Sequence, residues 1–111
     1  MRKPAVLFLL LLLFVFSASA QQVKIEGTVT DSSEKKNLPL AVVSLLTKSD
    51  TTLISFSRTD RNGRFILPAP DTGQYVLLVT YPRFADYMDK VEVNGNNNIG
   101  TVFMTLKSKM L

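Results

Sequence analysis

A chain of 111 residues, 46% hydrophobic, 20% charged and 9% aromatic, has the length and composition of one small globular domain, which excludes a large multidomain enzyme. It contains no Cys and no His, and that removes disulfides, lipid attachment through an N-terminal Cys, thiolate or imidazole metal sites and every His-based catalytic device. The formal charge of +4 is modest, and the composition implies no cofactor.

The first predicted element is an export signal. Arg2 and Lys3 form a basic start, Ala5 to Phe16 is an unbroken apolar run of twelve, and Ala18-Ser19-Ala20 supplies the small residues that a signal peptidase reads. Cleavage is predicted before Gln21, giving a signal peptide over 1–20 and a domain over 21–111. A bilayer-spanning helix needs about 20 apolar residues, more than this run provides before Ser17 and Ser19 interrupt it. Removing Arg2 and Lys3 lowers the formal charge from +4 to +2. The remaining cations are interleaved with acids, as at Glu34-Lys35-Lys36 and Asp60-Arg61, so no nucleic-acid partner is predicted.

Seven short strands follow. Val23 to Thr30 alternates apolar and polar residues with the period of two that places Val23, Ile25, Gly27 and Val29 on one face. The polar stretch Asp31 to Asn37 breaks it, and Pro39 opens a second run, Leu40 to Leu46, whose apolar character predicts cover on both faces. Thr51 to Thr59 is a third strand, and Asp60-Arg61-Asn62-Gly63 is a tight turn in which Gly63 takes positive φ. Arg64 to Leu67 is the fourth, ended by Pro68 and Pro70, which cannot donate to a ladder. Asp71-Thr72-Gly73 turns the chain into Gln74 to Tyr81, Tyr87 to Val93 is the sixth strand, Asn94 to Asn98 is a loop, and Ile99 to Leu106 is the last strand. No segment has helical periodicity.

Strands of this length with regular turn signals predict an all-β fold, a seven-stranded antiparallel β-sandwich, because a lone small sheet would leave one apolar face in water. The predicted core is Ile25, Val29, Val42, Leu45, Phe56, Phe65, Leu67, Tyr75, Leu77, Val79, Val91, Val93, Val102 and Met104.

The order of signals resembles a known family. Ile25-Glu26-Gly27-Thr28-Val29-Thr30-Asp31, then Leu38-Pro39-Leu40-Ala41, Thr59-Asp60-Arg61-Asn62-Gly63-Arg64-Phe65 and Gly73-Gln74-Tyr75-Val76-Leu77 resemble the carboxypeptidase regulatory-like domain, a prealbumin- or transthyretin-like sandwich, over essentially all of residues 23 to 106. Tyr81-Pro82, Phe84-Ala85-Asp86-Tyr87 and Ile99-Gly100-Thr101-Val102 are similar to the version at the N-terminus of outer-membrane β-barrel proteins of the TonB-dependent receptor type in Bacteroidetes-like bacteria. The family usually carries Gly where this chain has Arg83, which implies a different local turn. Each motif residue also has a physical role of its own. Gly27 permits a bulge or close approach of the other sheet, Asp60 and Asn62 bond turn backbone, and Phe65 and Tyr75 re-enter the core after Gly63 and Gly73. Asp31, Pro39 and Thr59 belong to the same fold signature.

The resemblance implies a non-catalytic periplasmic accessory domain ahead of a plug and barrel. A barrel needs at least about eight strands, so the chain is expected to be an N-terminal fragment of a longer receptor gene product, with a free-standing secreted copy as the other option. The implied partner is a protein of the cell envelope, its own downstream plug and barrel included, and contact with the membrane comes only through that barrel. The location implied is the periplasm, associated with the outer membrane. A sheet edge open to β-augmentation is one contact mode.

A second reading is a secreted carbohydrate-binding sandwich. Tyr81, Arg83, Phe84 and Tyr87 cluster about a predicted strand end, and aromatic rings beside hydrogen-bonding groups stack sugars, although aromatics of small sandwiches more often cap the core. Calcium at Asp60 is disfavoured, because Asp71 stands where the twelfth-position Glu belongs and Arg61 and Arg64 repel a cation. Transthyretin-like hydrolases share the fold, but this chain has none of their catalytic histidines, and no nucleophile stands beside a recognisable base.

Overall fold

A computed structural model describes residues 23–110. The predicted signal peptide and its cleavage site lie outside the described residues. The strands are β1 (Val23–Asp31), β2 (Val42–Thr47), β3 (Leu53–Arg58), β4 (Arg64–Ala69), β5 (Gly73–Thr80), β6 (Tyr87–Val93) and β7 (Asn97–Met104), followed by one 3-10 turn, Lys107–Lys109. They form two sheets, β4-β1-β7 and β3-β2-β5-β6. Hairpins join β2 to β3 and β5 to β6, and every other connection crosses between the layers. No helix among the described residues is long and apolar enough to cross a membrane.

The expected sandwich is present with one difference in pairing: β1 and β7 run parallel, while all other pairs are antiparallel. First and last strands can pair this way because the whole intervening chain serves as the crossover. Asn97 and Asn98, expected in a loop, open β7. Pro68, expected to end β4, lies inside it, opposite Lys24 of β1. Its carbonyl accepts the Ser55 hydroxyl of the other sheet at 2.6 Å. The N and C=O of one strand residue point to the same side, so the missing N–H faces away from β1 and no ladder bond is lost.

The core between the sheets holds Ile25, Val29, Leu45, Phe65, Leu67, Leu77, Val79, Val91, Val93, Val102 and Met104, as predicted. Leu38, Ala41, Val43, Ala69 and Phe84 join them. Two predicted core residues are misplaced. Val42 is half-buried on the outer face, because Val43 and Leu45 pair with Val79 and Leu77 on the inner one. Phe56 is 62% exposed, because it stands opposite Ser44 on that same outer face. Tyr75 is only partly buried against the core. The outer face of β2, expected to be covered, is half-buried at Val42 and Ser44 and buried at Leu46.

Candidate functional site: the motif-bearing end and the open sheet face

Most motif residues meet at one end of the sandwich. Antiparallel pairing of Thr28 with Arg64, Val42 with Arg58 and Val42 with Thr80, and parallel pairing of Asp31 with Met104, bring the loops after β1, β3, β5 and β7 together there. Thr59 joins two of them, the β1–β2 and β3–β4 connections. It is 1% exposed, its hydroxyl accepts the Ala41 N–H at 2.8 Å and donates to the Leu38 carbonyl at 2.6 Å, and its own N–H donates to the Ala41 carbonyl at 2.9 Å. These bonds hold the Leu38-Pro39-Leu40-Ala41 stretch against the start of the β3–β4 turn.

The turn itself is closed by the Asp60 carboxylate, which accepts the N–H groups of Asn62 at 2.8 Å and Arg64 at 3.0 Å. Gly63 stands at φ 75°, and its carbonyl accepts the Val29 N–H at 2.8 Å. A Cβ at Gly63 would lie 2.8 Å from the Val29 carbonyl oxygen, so both conformation and space call for glycine. Asp31 caps its own turn by accepting the Ser33 N–H at 2.8 Å. Among the described residues no group of acids is placed to hold a metal ion.

Gly27 permits both a bulge and a close approach, though the approach is within its own sheet. The β1–β7 register shifts at Gly27, and the ring of Phe65, its partner on β4, lies over it. An added Cβ would stand 2.7 Å from that ring. Gly73 and Tyr75 lie at the opposite end, where the Tyr75 hydroxyl donates to the Asp71 carbonyl at 2.7 Å.

The Tyr81–Tyr87 cluster also sits at the motif-bearing end. Phe84 is buried, Tyr81 and Tyr87 are half-buried, and Arg83 is exposed. Tyr81 and Phe84 make an edge-to-face contact with ring centroids 5.6 Å apart. The Tyr87 hydroxyl is pushed above its ordinary value of 10.0 by burial first and by the Asp89 carboxylate second. The departure at Arg83 leaves the turn intact: Arg83 itself takes φ 73°, the Phe84 N–H reaches the Tyr81 carbonyl at 3.1 Å, and the Lys107 N–H reaches the Arg83 carbonyl at 3.0 Å. Leu40, Val42, Arg58, Tyr81, Arg83, Asp86 and Lys107 border a cleft of about 470 Å³ beside this turn.

That cleft runs into the outer face of the four-stranded sheet. One row across the sheet is Arg58–Val42–Thr80, and the next is Phe56–Ser44–Leu78–Met88. Phe56 and Met88 are 62% and 58% exposed, and Leu78 between them is half-buried. No sequence motif marks this row, because only pairing register aligns the four residues. The signal available was Arg58 two residues after Phe56, and Ser44 two after Val42, each marking an outward face.

The four sheet edges are less open. β3 carries a bulge at Ile54, and β7 carries one at Ile99-Gly100, where Gly100 takes φ 81°. β4 holds Pro68, and β6 places the charged Asp89 on its core-facing side between Tyr87 and Val91. Each is a known device for blunting an edge against further strand pairing. The sheet face is therefore more available than the edges.

Two layers cross-braced at one end, with exposed apolar side chains on the outer face of the four-stranded sheet, define a small β-sandwich scaffold. The chain belongs to the carboxypeptidase regulatory-like domain family, whose model matches residues 24–107. No curated protein matches the chain. Among solved structures it is similar to a 9R-lipoxygenase from Cyanothece PCC8801 (20% identity, TM-score 0.60, covering 75% of this chain and 16% of that one). It is also similar to a type II cohesin–X–dockerin complex from Acetivibrio cellulolyticus (16% identity, TM-score 0.58, 76% of this chain and 58% of that one). A third is the pilus 2b backbone protein of group B streptococcus (15% identity, TM-score 0.58, 81% of this chain and 43% of that one). The chain thus spans less than two thirds of each, and at these identities the likeness shows the fold alone.

Proposed function

We propose that this domain is a non-catalytic interaction module of the cell envelope, and that it works through the outer face of the four-stranded sheet. The observation that carries the reading is the aligned row Phe56–Ser44–Leu78–Met88, whose apolar side chains stand open while every edge is blunted. Apolar side chains aligned in this way are typical of contact surfaces. The cohesin–dockerin and pilus proteins show that sandwiches of this shape occur in assembling proteins.

The signal-like first twenty residues support export, and the resemblance to receptor N-termini supports a periplasmic accessory domain of an outer-membrane TonB-dependent receptor-like protein. Absence of His and Cys from the whole sequence supports a role without catalysis. The rings of Tyr81, Phe84 and Tyr87 are turned largely into the fold, so the geometry favours a protein contact over sugar stacking. The test is a photo-crosslinking residue placed at Phe56 or, as control, at Thr28 on the outer face of the other sheet, in living cells of the host. A protein adduct from position 56 and none from position 28 is expected; equal labelling, or none at 56, would refute the reading.

A further inference from the structure

The interaction reading leaves the partner's chemistry open, and the cleft beside the apolar row narrows it. We propose that this surface takes an extended acidic segment of a partner protein, with an apolar side chain on the Phe56–Leu78–Met88 row and carboxylates in the cleft between Arg58, Arg83 and Lys107. The proposal rests on the interaction reading and adds a charge and a spacing to it.

Three cations border the cleft against one carboxylate, Asp86. Among the described residues the one ion pair is Lys36 with Glu34, so Arg58, Arg83 and Lys107, all exposed, form no ion pair with a described residue. A second copy of the domain would bring cations against cations, which disfavours self-docking. Arg58 and Phe56 are two residues apart on one face of β3, about 7 Å along the strand. That is also the distance between alternate side chains of an extended polypeptide, so one segment can place an apolar group and a carboxylate two residues apart onto both. Leu40 and Arg83 at the cleft rim hold φ of 62° and 73°, a conformation that non-glycine residues adopt at an energetic cost. Here the cost holds an exposed leucine and a guanidinium at the cleft mouth.

A phage library of random twelve-residue peptides selected against the folded domain tests this. Enriched peptides should carry Asp or Glu two residues from Leu, Ile, Phe or Met. The best of them, made synthetically, should bind at least about tenfold more weakly to Arg58→Ser, Arg83→Gly and Phe56→Ser, and more weakly as salt rises from about 50 to 300 mM. Ile66→Ser, on the opposite sheet, should bind it unchanged. Glycine accepts the conformation at position 83, so a misfolded variant is not a hazard there, and circular dichroism confirms the fold of the others.

Failure to enrich, enrichment without carboxylates, or binding indifferent to Arg58 and Arg83 would overturn the proposal. Retention of the domain on phosphatidylglycerol vesicles, lost in Arg83→Gly while no peptide binds, would overturn it in favour of a lipid surface. If crosslinking from position 56 still captures a protein in any of these cases, the interaction reading survives and the acidic-segment proposal alone falls.

Discussion

The two ends of the sandwich are built differently. At the motif-bearing end, loops from both sheets are bonded to one another: Thr59 joins the β1–β2 and β3–β4 connections, Gly63 joins the β3–β4 turn to β1, and Lys107 bonds the Tyr81–Phe84 turn. At the other end the turn bonds are mostly local, and those between distant segments are fewer: the Lys48 ammonium donates to the Gln74 side-chain carbonyl and the Lys24 N–H to the Asn96 side chain. The Asp50 carboxylate accepts from the Thr47 hydroxyl and the Thr52 N–H, and Asp71 accepts the Thr72 N–H. A bond between distant loops orders both sheets at once, whereas a local bond orders only its own turn. The cleft and the basic groups stand on the cross-braced end, where side chains are held in place.

The largest expected effect is at Gly63. Gly63→Ala puts a Cβ against the Val29 carbonyl in a left-handed conformation and should destabilise the domain by about 3 kcal/mol, read as a lowered urea midpoint. Thr59→Val comes next. It leaves the buried Ala41 N–H and Leu38 carbonyl without their partner and should cost about 2 kcal/mol, with Thr59→Ser recovering most of it.

Arg83→Gly should move the other way. Relief of the left-handed backbone, partly offset by glycine's greater freedom when unfolded, should stabilise the fold by up to about 1 kcal/mol. A gain in stability with a loss of peptide binding would separate what the residue does for the surface from what it does for the fold. The smallest effect belongs to the other end. Asp50, fully exposed, is held below its ordinary value of 3.8 chiefly by the Thr47 hydroxyl. A lowered folded value means that its contribution is present above 3.8 and is lost as pH falls further. Asp50→Asn should leave the midpoint at pH 7 almost unmoved and slightly flatten the acid limb of stability.

The sequence carried the layered fold well because alternation and turn residues are local signals. Val23 to Val29 and Tyr87 to Val93 show period two, and Asp60-Arg61-Asn62-Gly63 names its own turn. Register was harder to read. In Ala41-Val42-Val43 three apolar residues run together, so periodicity alone does not say which face is inner, and only Ser44 hints at it. Phe56 reads as core by type, yet its edge strand turns it outward beside Arg58. The parallel β1–β7 pair and the Phe56–Ser44–Leu78–Met88 row depend on contacts between residues far apart in the chain, for which a single sequence carries no direct signal. Phe84 shows the converse: its place among candidate contact residues rested on its neighbours, and tertiary packing with Tyr81 buried it.

Amide hydrogen exchange followed residue by residue compares the two ends most directly. The N–H groups of Val29, Leu38 and Ala41 should exchange only through global unfolding, while those of Thr52 and Thr72 exchange far faster through local opening. Equal rates at the two ends, or fast exchange at Ala41 and Leu38, would contradict the account.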